Sequence, residues 1–299
     1  MIRYTAAVAS DERFTLGEGP VLDSLGGRLL WVDILGGTAF EGRLAGNRVE
    51  VTRRHEFDCM VGAIVPAMDG GLLIAVHKHL VRILPSGEHV DGPVIVKPGI
   101  ASRANDGAVD PSGRFVIGTL ALDDRIGCES LVRLEHDGTL SAIDVDLKLS
   151  NGLAWSPDGS LFYSTDTADQ VIWERSYPPE GPPGARREYL RIADGYPDGI
   201  CMDGSGNLWV AIWGSGQVRC YSPEGIIVAT VVVDAPQTSS VAFIGEQLDT
   251  LLITTASTGM TAEQMERHPN SGRLFLAVVD AVGVPSSQWA QPDFGHPAE

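Results

Sequence analysis

The sequence predicts an all-β fold, a six-bladed β-propeller with four-stranded antiparallel blades, on three observations. A turn containing Asp and Gly, followed by a short strand of aliphatic or aromatic residues, recurs along the chain. The recurrence has a nearly constant spacing, and long amphipathic helical stretches are absent. A period of ~40–50 residues with several short strands per unit is the pattern of a propeller blade.

The units follow in order. They read "DSLGGRLLWVDI" (Asp23 to Ile34), "AMDGGLLIAV" (Ala67 to Val76), "VDPSGRFVIGTL" (Val109 to Leu120), "SPDGSLFYSTDT" (Ser156 to Thr167) and "MDGSGNLWVAIW" (Met202 to Trp213), with a looser sixth, "GEQLDTLLITTA" (Gly245 to Ala256). Between the turn glycines Gly27, Gly71, Gly113, Gly159 and Gly206 the steps are 44, 42, 46 and 47 residues. A second turn lies about twenty residues further on in several units, as in "LPSGEHV", "EHDGTLS" and "YSPEGIIV", so each blade has two hairpins and hence four strands. "TAEQMERH" (Thr261 to His268) is at most a short loop helix, and the Pro/Gly-rich "YPPEGPPGARRE" (Tyr177 to Glu188) reads as an outer hairpin loop. No linker divides the chain, so residues 1–299 are expected to form a single propeller domain.

Bulk composition bounds the function. The 299 residues are 43% hydrophobic, enough for a large core. Against 39 Asp plus Glu stand 22 Lys plus Arg, a formal charge of -17, which repels phosphate backbones and anionic lipid head groups. Nucleic acid and membranes are therefore not expected partners. Cys59, Cys128, Cys201 and Cys220 lie far apart without metal-site spacing and read as buried thiols. The opening residues lack a secretory h-region and the longest apolar run, Ile226 to Val233, is too short to cross a bilayer, so a cytoplasmic location is expected.

In a propeller the innermost strands surround the axis, so equivalent offsets in different blades converge. Eight residues before Gly206, Gly159, Gly113 and Gly26 stand Asp198, Asn151, Asn105 and Glu18, all with side-chain oxygens. Each is followed by glycine within two residues, which lets the backbone turn tightly near the axis. The same offset falls near Val61-Gly62 in the second unit and Ser239-Ser240 in the sixth, which bring no charge. Two carboxylates and two amides meeting in a partly desolvated mouth call for a cation. Oxygen donors suit Ca²⁺, Mg²⁺ or Mn²⁺, although they do not exclude Zn²⁺ or Fe²⁺, and Ca²⁺ is favoured. The plainer alternative is that Asn and Asp before Gly are ordinary turn formers.

Other residues carry less weight. Arg103, two residues before Asn105 in "SRANDG", is placed either in the same mouth, holding substrate hydroxyls or a developing oxyanion, or on the rim, paired with Asp106. Asp123, after the "GTL" strand end, approaches the cavity or remains a solvated loop acid. Trp155, Trp209 and Trp213 are expected to fill the gaps between blades. The absence of GxSxG, P-loop and GxGxxG patterns argues against serine hydrolase, NTPase and Rossmann dehydrogenase chemistry.

Taken in series, "LGEGPV", "SRANDGAVDPSGRFVIGTL", "LSNGLAWSPDGSLFYSTD" and "YPDGICMDGSGNLWVAIWGSGQV" resemble the family of senescence marker protein 30, gluconolactonase and luciferin-regenerating enzyme. The resemblance implies a propeller hydrolase that opens sugar lactones with one divalent metal held by Glu18, Asn151 and Asp198. It also implies that Arg103, Asn105 and Asp106 line the substrate pocket, with Asn105 close to or on the metal, and that Asp123 meets a sugar hydroxyl. Asp123 is shorter than the family's Glu, and Leu120 stands where the family has Met.

The expected function is thus hydrolysis of an aldonolactone, with the metal as Lewis acid and Asp198 as catalytic general base. The expected partner is a small sugar lactone, and the protein is expected to be a monomer or weak homodimer. Two alternatives stay open, a phosphotriesterase-like propeller hydrolase and a non-catalytic ligand-binding propeller with a structural metal.

Overall fold

Six sheets, each built on one sequence repeat, form the blades of a propeller; in four of them the strand order follows the chain, and the fifth and sixth each take an N-terminal strand at the outer edge. The computed structural model describes residues 1–290; residues 291–299 of the expected single domain lie outside the described residues. The innermost strands are Gly17–Asp23, Val61–Pro66, Ser102–Val109, Ser150–Trp155, Tyr196–Met202 and Thr238–Ile244. Their hairpin turns are the repeated Asp/Gly segments. Gly113, Gly159 and Gly206 adopt φ of 84°, 71° and 82°, a backbone region in which L side chains are strained.

Closure of the ring comes from the N-terminus. Ala7–Val8 pairs antiparallel with Phe275–Val278 as the fourth strand of the sixth blade. Ile2–Thr5 then runs parallel to Ile227–Val232 as a fifth strand of the fifth blade, which departs from the expected uniform count of four. The repeat pattern could not foretell this, because residues 1–8 contain no repeat turn. The physical reason is that the outer strands Phe275–Val278 and Ile227–Val232 would otherwise expose unpaired edges.

The apolar core is not one mass but six wedges, one between each pair of neighbouring blades. Leu30, Val32, Ile64 and Ile74 fill the first, and Leu73, Ala104, Phe115 and Ile117 the second. Val116, Leu153, Trp155 and Phe162 fill the third, with Trp155 stacked on Phe162 at 4.8 Å between ring centres. Further round, Trp209 meets Phe243 edge-on at 5.8 Å, and Phe14, Trp31 and Phe40 pack against Leu252 where the last blade meets the first. Trp155 and Trp209 thus lie between blades as expected. Trp213, by contrast, is half-buried at the end of its strand. The thiols also differ from expectation. Only Cys220 is buried, Cys59 and Cys201 are half-buried, and Cys128 is exposed because it sits in a loop outside the wedges.

A final segment braces the face on which the hairpin turns lie. Gly204 N donates to Val282 O, Val284 N to Met202 O, Trp289 N to Pro66 O and Ala290 N to Gly113 O, so the segment spans from the fifth blade to the second and third. Gln288 Nε2 adds a 2.8 Å bond to Asp23 in the first blade. The short helix Ala262–Arg267 lies in a loop, its start closed by the reciprocal Thr261 and Gln264 cap. Among the described residues no helix is long and apolar enough to cross a membrane.

Candidate functional site

Every innermost strand slips register against its neighbour at one place. The slips fall at Glu18/Val21, Val61/Ala63, Ala104/Gly107, Asn151/Leu153, Pro197/Ile200 and Thr238/Ser240. An extra residue in one strand of a pair re-aims a side chain that the ordinary alternation would point elsewhere. The six irregularities therefore form a belt around the axis, and the residues found by offset lie on it. Glu18, Asn105, Asn151 and Asp198 are all buried, between 4% and 6% exposed. Gly62 and Ser239 complete the belt without charge. A Cβ on Gly62 would stand 2.5 Å from the Asn105 carbonyl, so glycine is what permits this closeness.

The two amides are held differently. Arg103 Nη1 donates to Asn105 Oδ1 at 2.6 Å, and Asn105 Nδ2 donates to the Ser150 carbonyl at 2.8 Å. Both ends of that amide are engaged. Asn151 Nδ2 donates to Asp198 Oδ1 and, at 3.2 Å, to Thr167 Oγ1. Its Oδ1 is buried and has no hydrogen-bond partner among the described residues. A buried acceptor left unmade is costly unless something else occupies it.

Charge deepens the same deficit. Burial, and then the neighbouring Asp106 carboxylate, push the Glu18 carboxyl up to about 8. Burial raises Asp106 to about 6. Asp198 lies well above the ordinary carboxylate range, through burial first and then through Glu18 and Asp106. Arg103 is lowered to about 10 by burial, against the pull of Glu18 and Asp198. One buried guanidinium thus faces two of the three stressed acids, Glu18 and Asp198. Among the described residues no three His, Cys, Asp or Glu side chains gather closely enough to hold an ion. A cation fits when the neutral oxygen of Asn151 is counted with Glu18 and Asp198, because it relieves the acids and satisfies the orphaned oxygen together.

Placement of the remaining predicted residues is uneven. Arg103 is buried and turns to Asn105, not to a rim pairing with Asp106. Asp106 is half-buried, accepts from Gly107 N at 2.8 Å, and lines an axial cavity of about 290 Å³ that Trp155, Cys201 and Ser240 share and residues 284–287 close. Asp123 is exposed, and Arg125 Nε holds both its oxygens at 2.8 and 2.9 Å.

Three residues went unread in the sequence. Asp33 accepts from Thr15 N and Leu16 N, at 2.8 and 2.9 Å, just before Glu18. Asp166 accepts from Lys148 N and Leu149 N, both at 3.0 Å, just before Asn151. Each carboxylate fixes the height at which a ring-bearing strand enters. The signal was an Asp closing the second strand of the first and fourth repeats, in "LLWVD" and "LFYSTD". Thr167 had no such signal, since its partners come from two blades.

Comparison with known proteins agrees with this architecture. A 6-deoxy-6-sulfogluconolactonase of Pseudomonas putida is 33% identical over 273 residues, covering 90% of this chain and 92% of that one. A pentonolactonase of Haloferax volcanii is 33% identical over 287 residues, covering 92% and 94%. The crystal structure of a calcium-binding protein, regucalcin, from Agrobacterium tumefaciens superposes with a TM-score of 0.90 at 27% identity, covering 97% of this chain and 99% of that one. A model of the SMP-30/gluconolactonase/LRE-like region matches residues 16–257, which include Glu18, Asn105, Asn151 and Asp198, and the chain belongs to that family.

Proposed function

We propose that this protein is a cytoplasmic hydrolase that opens the ring ester of a sugar lactone to the free aldonic acid. The observation that carries the reading is the belt in which Glu18, Asp198 and the unpartnered Asn151 Oδ1 converge, buried and short of positive charge. Relatives named for the lactones they act on support the substrate class. A divalent cation held by Glu18, Asn151 and Asp198, with Ca²⁺ favoured, would supply Lewis acidity toward the lactone carbonyl when bound.

The chain's own groups do the rest. Asp198, whose Oδ1 accepts from Asn151 Nδ2, takes a proton from the attacking water. The water oxygen bonds to the carbonyl carbon, the ring C–O bond breaks, and Asp198 returns the proton to the departing ring oxygen. Arg103 steadies sugar hydroxyls and the charge developing on the carbonyl oxygen, in a setting where burial strengthens its field. Asn105, clamped between Arg103 and the Ser150 carbonyl, orients that guanidinium. Asp106 lines the cavity and is available to a sugar hydroxyl, whereas Asp123, exposed and paired with Arg125, would meet one only by giving up that pair.

The test is ring opening of glucono-, galactono-, xylono- and arabinonolactone, followed by pH indicator, on protein stripped with chelator and refilled with Ca²⁺, Mn²⁺, Zn²⁺ or Fe²⁺. Activity should return with one of the ions. Asp198→Ala should lower turnover by about 100-fold to 10,000-fold in a folded protein. A folded variant that keeps most of its turnover would remove Asp198 from the proton step. A second reading, cation binding without turnover, draws on the solved neighbour described as calcium-binding. Calcium uptake with silence across the whole panel would favour it.

A further inference from the structure

We propose that Thr167 is a positioning residue, which fixes the amide of Asn151 so that its oxygen, and not its nitrogen, is the atom offered to a cation. The inference rests on the cation site argued above and goes beyond it in naming what sets the donor. Thr167 stands at the end of the Leu161–Asp166 strand, in the turn leading to the next strand, and is half-buried. Its Oγ1 donates to the Pro197 carbonyl at 2.8 Å, the residue just before Asp198.

A threonine hydroxyl carries one proton. With that proton committed to Pro197, Oγ1 can only accept from Asn151, whose Nδ2 lies 3.2 Å away. On its other side Nδ2 donates to Asp198 Oδ1, also an acceptor. Reversing the amide would therefore set Asn151 Oδ1 against two oxygens and leave the amide protons without either partner. Asp198 favours the same orientation, but it is itself a ring donor whose charge a cation would draw away. The Thr167 contact is anchored to backbone and persists. It also ties the strands that carry Asn151 and Asp198 to each other, since one hydroxyl touches both.

Groups that orient a ligating side chain typically change metal affinity by about 10-fold to 100-fold when removed. Calorimetric titration of Ca²⁺ into chelator-stripped protein should show that weakening for Thr167→Val, which keeps the shape and loses the hydroxyl. Thr167→Ser, which restores the hydroxyl, should recover most of the affinity, a rescue that a packing role would not produce. Equal affinity in Thr167→Val and the unaltered protein would overturn the inference while leaving the cation site intact. No uptake by the unaltered protein would overturn both together. If Thr167→Val is too unstable to titrate, Thr167→Ala takes its place, read by the rise in melting temperature on adding Ca²⁺: a smaller rise than in the unaltered protein supports the role, and an equal rise overturns it.

Discussion

Asn105 and Asn151 are the same residue type at the same offset in neighbouring repeats, yet of the two only Asn151 leaves its oxygen without a hydrogen-bond partner among the described residues. The difference lies in what reaches each amide: a guanidinium takes Asn105 Oδ1, while an acid and a hydroxyl take Asn151 Nδ2. Glycines set how closely these residues can approach. A Cβ at Gly152 would press into the Asp198 carbonyl oxygen, far inside contact distance, and would crowd Thr165 Oγ1 and Ile200 as well. Gly152→Ala should therefore push the strands of the fourth and fifth blades apart, cost about 1–3 kcal/mol of stability and weaken Ca²⁺ binding together with it. Denaturant unfolding and calcium titration of the variant check this, and full stability would show that the Asp198 strand yields freely. At this scale the ring was legible because offset from a turn glycine is a one-dimensional quantity. Thr167 was not legible, because its role depends on a hydroxyl proton claimed by another blade.

At the scale of elements, one device recurs six times: a register slip in each innermost strand, at the level of the belt. Alternation alone would send ring residues and the wedge-filling residues after them into competing orientations, and the slip lets one strand serve both. The glycine after each ring residue was the visible part of this device, although it was read as a tight turn. The closing strand has no such trace. Removing residues 1–8 should expose the edge of Phe275–Val278, lower the melting temperature and promote association through that edge. Thermal scans and size-exclusion chromatography over a range of concentrations would show it. Unchanged melting would mean that the sixth blade holds with three strands.

The molecule as a whole balances a formal charge of -17 against a centre whose acids resist ionisation. Glu18 rises from its ordinary 4.5 to about 8 in the folded state, so between those values the folded protein holds a proton that the unfolded chain has released. Cation-free protein should therefore lose stability as pH rises across that window, with Asp106 adding to the loss up to about 6. A cation competes with these protons and binds only the folded form, so its stabilising effect should grow with pH. Melting temperatures at pH 5, 6.5 and 8, with chelator and with Ca²⁺, test the sign. A calcium-induced rise that is larger at pH 5 than at pH 8 would contradict it.

From the sequence alone came the propeller, its six repeats and the four ring residues, because repeat period and offset are written along the chain and the blades obey them locally. The tertiary structure decided which amide oxygen is free, which acids press on one another, how the last blade closes and what braces the face of the hairpin turns. Those outcomes depend on contacts between residues from different blades or distant in the chain, where burial and the pairing of single protons decide the energy, and neither is encoded in spacing.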